Sequence, residues 1–209
     1  MDKTIKEFTP GTSRIEAFSD GVFAIVVTLL VLELRVPHLP ENFTSQDVIT
    51  ELIHLTPKFV SFAMSFLVVA IFWVNHHQLF HSLDKTDRAT LWYNNLLLFW
   101  LSFVPFPTAF IGEHPSSMIP VMLYGFAMFA AGFSFMLMLR HAIKANLFSP
   151  LHSKELIEQG VKKGRIGPVI YLISIVTALI SVYISLAIFI LVPVFYFVPQ
   201  KIVKFDSQN

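Results

Sequence analysis

The chain has 209 residues, of which 55% are hydrophobic, 14% aromatic and only 14% charged, a composition too apolar for an ordinary soluble domain. It has no cysteine, which excludes disulfides, thiolate metal sites and cysteine nucleophiles, and its formal net charge is +1. Its 22 phenylalanines and its spanning Leu/Ile/Val runs, without the ten-residue alternation of an outer-membrane barrel, predict an all-α integral membrane protein.

Six spans are predicted, at about 15–36, 57–80, 89–111, 118–141, 167–181 and 184–199, and each of the first four reaches the roughly 20 residues that a 30 Å hydrocarbon core requires. The first run is too long and too poorly terminated for a cleaved signal peptide, so it is expected to stay as a span, stopped by Pro37 and Pro40. QDVITELIHL follows as a short interfacial turn of helix. Thr56-Pro57 reads as an N-cap with proline at the first helical position, and Ser116, Ser117 and Pro120 repeat the pattern. Pro105 and Pro107 are expected to end the third span. HSKELIEQGVKKG reads as a polar, partly helical loop, and the charge-free run from Pro168 to Val198 is divided into two spans near Ser181 to Ser185. No segment reads as a separate domain.

With the N-terminus in the cytosol, 13 cations fall inside: Lys3, Lys6, Arg14, Lys85, Arg88, Arg140, Lys144, Lys154, Lys162, Lys163, Arg165, Lys201 and Lys204. Only Arg35 and Lys58 fall outside, a strong positive-inside signal that an odd number of spans would weaken. Both termini are therefore expected to be cytoplasmic.

The first span, RIEAFSDGVFAIVVTLLVLEL, carries Arg14, Glu16 and Asp20 into an otherwise apolar helix. With Ile25 at zero and about 100° per residue, Thr28 lies near −60°, Leu29 near +40° and Leu32 near −20°, a single stripe, while Asp20 lies near −140°. The stripe by itself also fits ordinary lipid-facing or core positions. Asp20 requires a partner or water. Arg14, six residues away, is poorly placed within the helix, so polar groups at the same depth on other helices are the candidates: Asn75, His76 and His77 ending the second span, and Trp92, Asn94 and Asn95 opening the third. FWVNHHQLFH also fits histidines at the headgroups. His77 and His81 have i, i+4 spacing, but without a companion cysteine or an HExxH pattern no metal is expected. In the fourth span Ala127 with Ala131, and Gly125 with Gly132, suggest close helix contacts.

No GxxxxGK[ST], GxSxG, HExxH or TVGYG motif is present and no helix has regularly spaced arginines, which disfavours a hydrolase, a pump, a carbonyl-filter potassium channel or a voltage sensor. No enzymatic activity is expected.

The combination Arg14-x-x-x-Phe18-Ser19-Asp20, followed by GVFAIVVTLLVLEL, resembles the signature of the transmembrane protein 175 family of potassium channels in its single-repeat prokaryotic form. The histidines of span two and the Trp-Tyr-Asn-Asn start of span three extend the likeness. The resemblance implies a homotetrameric cation channel of six-helix subunits in the plasma membrane, without a P-loop filter, a cofactor or a nucleic-acid partner, and with K+ and other monovalent cations as the permeating species. It also implies a pore lined by the first helix, with Ile25 as the narrowest ring, Leu29 and Leu32 as further rings outward, and Thr28 as a polar layer used in selectivity. Arg14, Ser19 and Asp20 would join His77, Trp92, Asn94 and Asn95 in an inter-helix network. The sequence does not decide between His76 and His77 or between Asn94 and Asn95. Glu33, about 80° from the stripe, is open to two readings, an anionic vestibule or a headgroup-level pair with Arg35. The rival to a channel is a proton-coupled carrier that uses Asp20 and the histidines as a relay.

Overall fold

The computed structural model describes residues 11–150 and 154–197, which form eight helices; no strand occurs among them. The helices are α1 (Thr12–Val31), α2 (Ser45–His54), α3 (Thr56–His81), α4 (Arg88–Phe103), α5 (Pro105–Glu113), α6 (Met118–Lys144), α7 (Lys154–Ala178) and α8 (Val182–Phe197). Thr56–His81, Arg88–Glu113 and Met118–Lys144 are each long and apolar enough to cross a bilayer, and α8 contains a shorter apolar stretch, Val182–Val194. The protein is a multi-pass membrane protein. The other predicted spans correspond to α1, α7 and α8, of which α1 and α7 begin with charged turns and α8 is short.

Several boundaries differ from those read in the sequence. Helix α1 stops at Val31, because Leu32, Glu33 and Leu34 turn their N–H groups back onto Leu29, Leu30 and Val31, three residues behind. Pro105 and Pro107 interrupt the third span but do not end it, since Val104 keeps helical dihedrals and the chain continues as α5. Leu55 rather than Thr56 caps α3, and Ser117 caps α6 without a side-chain bond. The polar segment expected as a loop after residue 151 forms the first turns of α7 from Lys154, and the break before α8 falls at residues 179–181. Residues 198 and 199 of the last predicted span, with Lys3, Lys6, Lys201 and Lys204, lie outside the described residues.

Helix α6 is the centre of the packing, against α4 and α5 on one side and α7 on the other. Helix α3 packs on α1, α5 and α8, and α1 rests on α3, α4 and α5. All four small residues predicted as helix contacts are buried, and Gly125 and Gly132 lie against α7. A Cβ built on Gly132 would stand 2.9 Å from Pro168 Cγ, and one on Gly125 3.0 Å from Ile175 Cγ1. Gly132→Leu is therefore expected to cost about 1–3 kcal/mol through overpacking, read as a lower thermal midpoint in detergent. Gly160→Ala, inside α7 where an added methyl meets nothing within 4 Å, should not lower it.

Two connections clasp the side of the molecule where α3, α4 and α6 meet. Asn146, at φ 51°, closes α6 in the left-handed region, so that Leu147 N–H reaches Ala142 O at 3.0 Å. Asp84 N–H then donates to Leu147 O, and Ser149 N–H to Ser82 O. Beside this clasp Asp87 caps α4, accepting from Thr90 N–H at 2.8 Å and from His141 Nε2, on α6, at 2.8 Å. Burial by itself raises the Asp87 carboxyl, but the Thr90 N–H, the His141 ring and the Thr90 hydroxyl outweigh it and hold the group below its ordinary value. A lowered carboxylate contributes stability that is complete above the unfolded value, near 3.9, and lost as pH falls through the folded value. Asp87→Ala is expected to cost about 1 kcal/mol for the cap alone. Asp87→Asn should remove this part of the acid sensitivity below about pH 4, measured as the pH dependence of the thermal midpoint.

Candidate functional site

The first helix has one buried face and one open face. Ile15, Ser19, Phe23, Val26 and Leu30, spaced four, four, three and four apart, are buried against α3, α4 and α5. Arg14, Phe18, Gly21, Ile25, Thr28 and Leu32 are exposed at alternating spacings of four and three, with none of them buried by the described residues. Phe18 is 60% exposed, Ile25 59% and Leu32 66%, and Leu29 lies at the edge of the same strip. The four residues predicted to line a pore therefore share one uncovered face. The Thr28 hydroxyl donates back to Ala24 O and Ile25 O, both at 2.9 Å. Its proton is committed to the helix backbone, so the side-chain oxygen offers outward only its acceptor lone pairs.

The buried face carries a polar knot. Ser19 Oγ donates to Ile15 O at 2.8 Å and accepts from Asn94 Nδ2 at 3.0 Å. Asn94 Oδ1 lies 2.8 Å from His76 Nε2; with the amide oxygen as acceptor, His76 must carry its proton on Nε2. Ser19, His76 and Asn94 are all buried, and the His76 ring stacks on Phe80 at 4.4 Å and meets Phe23 edge-on at 5.5 Å. Three helices are thus joined at one level with their polar atoms paired, as an apolar surround requires.

The structure divides the predicted network. It brings Ser19 and Asn94 together and completes them with His76, not His77. His77 is exposed, stacked between Trp73 at 6.0 Å and His81 at 6.2 Å. Asn95 is one residue beyond Asn94 and points outward, and Trp92 is 65% exposed. Asp20 pairs with Trp73, whose Nε1–H donates to Oδ1 at 2.9 Å, a partner the sequence reading did not name. Helical spacing could have selected His76, four residues before buried Phe80 and seven after buried Val69, and Asn94, four after buried Thr90.

At the opposite end of α1, Glu33 turns into the protomer rather than toward the open stripe. With Lys58, Ser61, Thr108, Gly112 and Glu113 it lines a cavity of about 10 Å³, room for about one water. Lys58 Nζ donates to Glu113 Oε1 across the same wall at 3.1 Å.

The family model described as endosomal/lysosomal potassium channel TMEM175 matches residues 14–105, the segment that holds most of α1, all of α3 and α4, and with them Ser19, His76 and Asn94. A potassium channel of Chamaesiphon minutus is 35% identical over 189 residues, covering 88% of this chain and 93% of that relative. The human endosomal/lysosomal proton channel TMEM175 is 38% identical over 98 residues, 44% of this chain and 19% of the human protein. Among solved structures, the crystal structure of a lysosomal potassium-selective channel TMEM175 homolog from Chamaesiphon minutus superposes with a TM-score of 0.78 at 34% identity, covering 88% of this chain and 95% of that one. These relatives are ion channels, not enzymes. With Arg14, Phe18, Ser19 and Asp20 inside the matched segment and the likeness running over most of its length, the chain belongs to the TMEM175 family.

Proposed function

We propose that this protein is a passive, potassium-permeable cation channel in which four copies bring the open faces of α1 around one axis. The observation that carries this reading is the uncovered strip of Ile25, Thr28, Leu29 and Leu32 on a helix whose opposite face is fully engaged. Four Ile25 side chains around an axis make a dry constriction that stops ions by dewetting. A small outward movement of the helices admits water and a partly dehydrated cation, so one place serves as gate and selector. The next turn adds four Thr28 oxygens with free lone pairs, the acceptor chemistry that a monovalent cation needs.

In this reading Arg14 and Phe18 continue the open strip toward the inner mouth of the pore, the Asp20–Trp73 pair lies where neighbouring copies meet, and His77, Trp92 and Asn95 lie on faces that a second copy can engage. Ser19, His76 and Asn94 fasten α1 within its own protomer. The distribution of Lys and Arg supports six spans with both termini cytoplasmic, and the setting is the plasma membrane. The rival, a proton-coupled carrier, would need Asp20 and the histidines to exchange protons. Asp20 bonds to Trp73 and His76 to Asn94, an arrangement that supports fastening over relay.

The test is a planar-bilayer recording from purified protein with reversal potentials in mixed potassium and sodium salts. Unitary current steps with a reversal potential displaced toward that of potassium are expected. Saturable exchange without current steps would sink the channel reading.

A further inference from the structure

Helix α2 is a ten-residue segment with no buried residue. With Leu52 at zero and about 100° per residue, Val48, Ile49, Ile53 and Leu55 fall within an arc of about 160°, and Asp47, Thr50, Glu51 and His54 fall opposite. Val48 and Leu55, at one edge of that arc, are half-buried, whereas Ile49, Leu52 and Ile53 are 50%, 49% and 64% exposed. A helix this short is marginal on its own in water. Its capping box, with Thr44 N–H donating to Asp47 Oδ2 at 2.8 Å and Asp47 N–H to Thr44 Oγ1 at 3.3 Å, secures the first turn but covers none of the apolar face.

The chain fixes the depth at which that face must be satisfied. Leu55, at φ −77° and ψ −9°, is both the C-cap of α2 and the N-cap of α3, so a single helical residue joins the two. Helix α2 is thereby held at the first turn of the membrane-crossing run Thr56–His81. On that turn Phe59 and Val60 are also about half exposed and extend the apolar surface of α2 onto the flank of the span. The Asp47 carboxylate, kept low by the bonds from the Thr44 backbone and hydroxyl, stays charged and belongs in water with Glu51 on the far side.

We propose that α2 lies in the bilayer surface at the outer end of α3, with Ile49, Leu52 and Ile53 at the boundary between headgroups and acyl chains. A helix with an apolar arc, a charged opposite face and a covalent tether at membrane depth is built for that position. Its partner is lipid, and it holds the long α1–α3 connection against the membrane.

The absence of cysteine makes the test direct, because any introduced cysteine is the only labelling site. Ile53→Cys, Ile49→Cys and Thr50→Cys, each carrying an environment-sensitive fluorophore, are reconstituted in phosphatidylcholine vesicles and quenched with shallow-brominated lipid or aqueous iodide. Labels at 49 and 53 are expected to be quenched severalfold more by brominated lipid than the label at 50, and the label at 50 more by iodide. Equal iodide access at all three positions would place α2 in water and overturn the proposal. Protection of 49 and 53 from both quenchers would place a second copy on the face and overturn it equally.

Discussion

Ile25→Asn in the reconstituted protein is expected to raise sodium permeability relative to potassium by about tenfold, the change that about 1.4 kcal/mol of barrier produces. In the protomer Ile25 stands on the uncovered strip of α1, clear of the packed core, so the substitution leaves the fold's interior untouched. In the proposed four-fold assembly it replaces a ring of four branched hydrocarbons by four amides. An apolar ring admits only ions that can shed water cheaply, and it supplies nothing in return. Sodium, smaller and more tightly hydrated than potassium, loses most at such a ring. Amide oxygens return part of the lost hydration, so the ion with the larger penalty gains more.

The measurement is the reversal potential under bi-ionic conditions, with resting leak recorded in the same patches. An unchanged permeability ratio would count against Ile25 as the narrowest ring. Thr28→Val separates polar coordination from width, since it preserves shape and removes the oxygen whose lone pairs face outward. Its expected effect is a reduced preference for potassium with little change in leak. If Thr28→Val alters nothing while Ile25→Asn does, the Ile25 ring alone sets selectivity.

The two faces of α1 were legible in the sequence because helical geometry converts spacing into angle. The stripe of Ile25, Thr28, Leu29 and Leu32 needed only the 100° rule, and the structure leaves those residues on one open side. The partner of a polar residue is a different kind of question, since it depends on the rotation of each neighbouring helix, and a slip of one residue turns a side chain by about 100°. His76 and His77 are adjacent and chemically identical, yet one is sealed between Phe23 and Phe80 and the other is exposed. Trp73 escaped notice as the partner of Asp20 because its indole counts as apolar in a hydropathy reading, while its single N–H is what pairs with the carboxylate. The end of α1 at Val31 was obscured for a related reason: Leu32 and Leu34 continue the apolar run after the hydrogen-bond ladder has closed into turns. Apolar length reports where a chain can lie in lipid, not where its last helical bond falls.

Asn94→Leu is expected to destabilise the protomer by about 2–4 kcal/mol, because each buried polar group left without a partner costs about 1–3 kcal/mol. Asn94 serves two helices at once, donating to Ser19 on α1 and accepting from His76 on α3. Leucine removes both bonds. Ser19 keeps its bond to Ile15 O, so the larger penalty falls on His76, whose Nε2–H loses its acceptor in a pocket walled by Phe23 and Phe80. Asn95→Leu, one residue along and exposed, should stay within about 0.5 kcal/mol. The thermal midpoint of the detergent-solubilised protein reads the contrast, with a drop of roughly 5–15 °C expected for Asn94→Leu and almost none for Asn95→Leu. Equal drops would mean that both asparagines fasten the fold. The double variant His76→Leu with Asn94→Leu then tests the cause. If the penalty is an orphaned ring N–H, removing that ring must recover about 1 kcal/mol or more relative to the sum of the single changes. If the penalty is instead a packing misfit at residue 94, the two changes should add, with no such recovery.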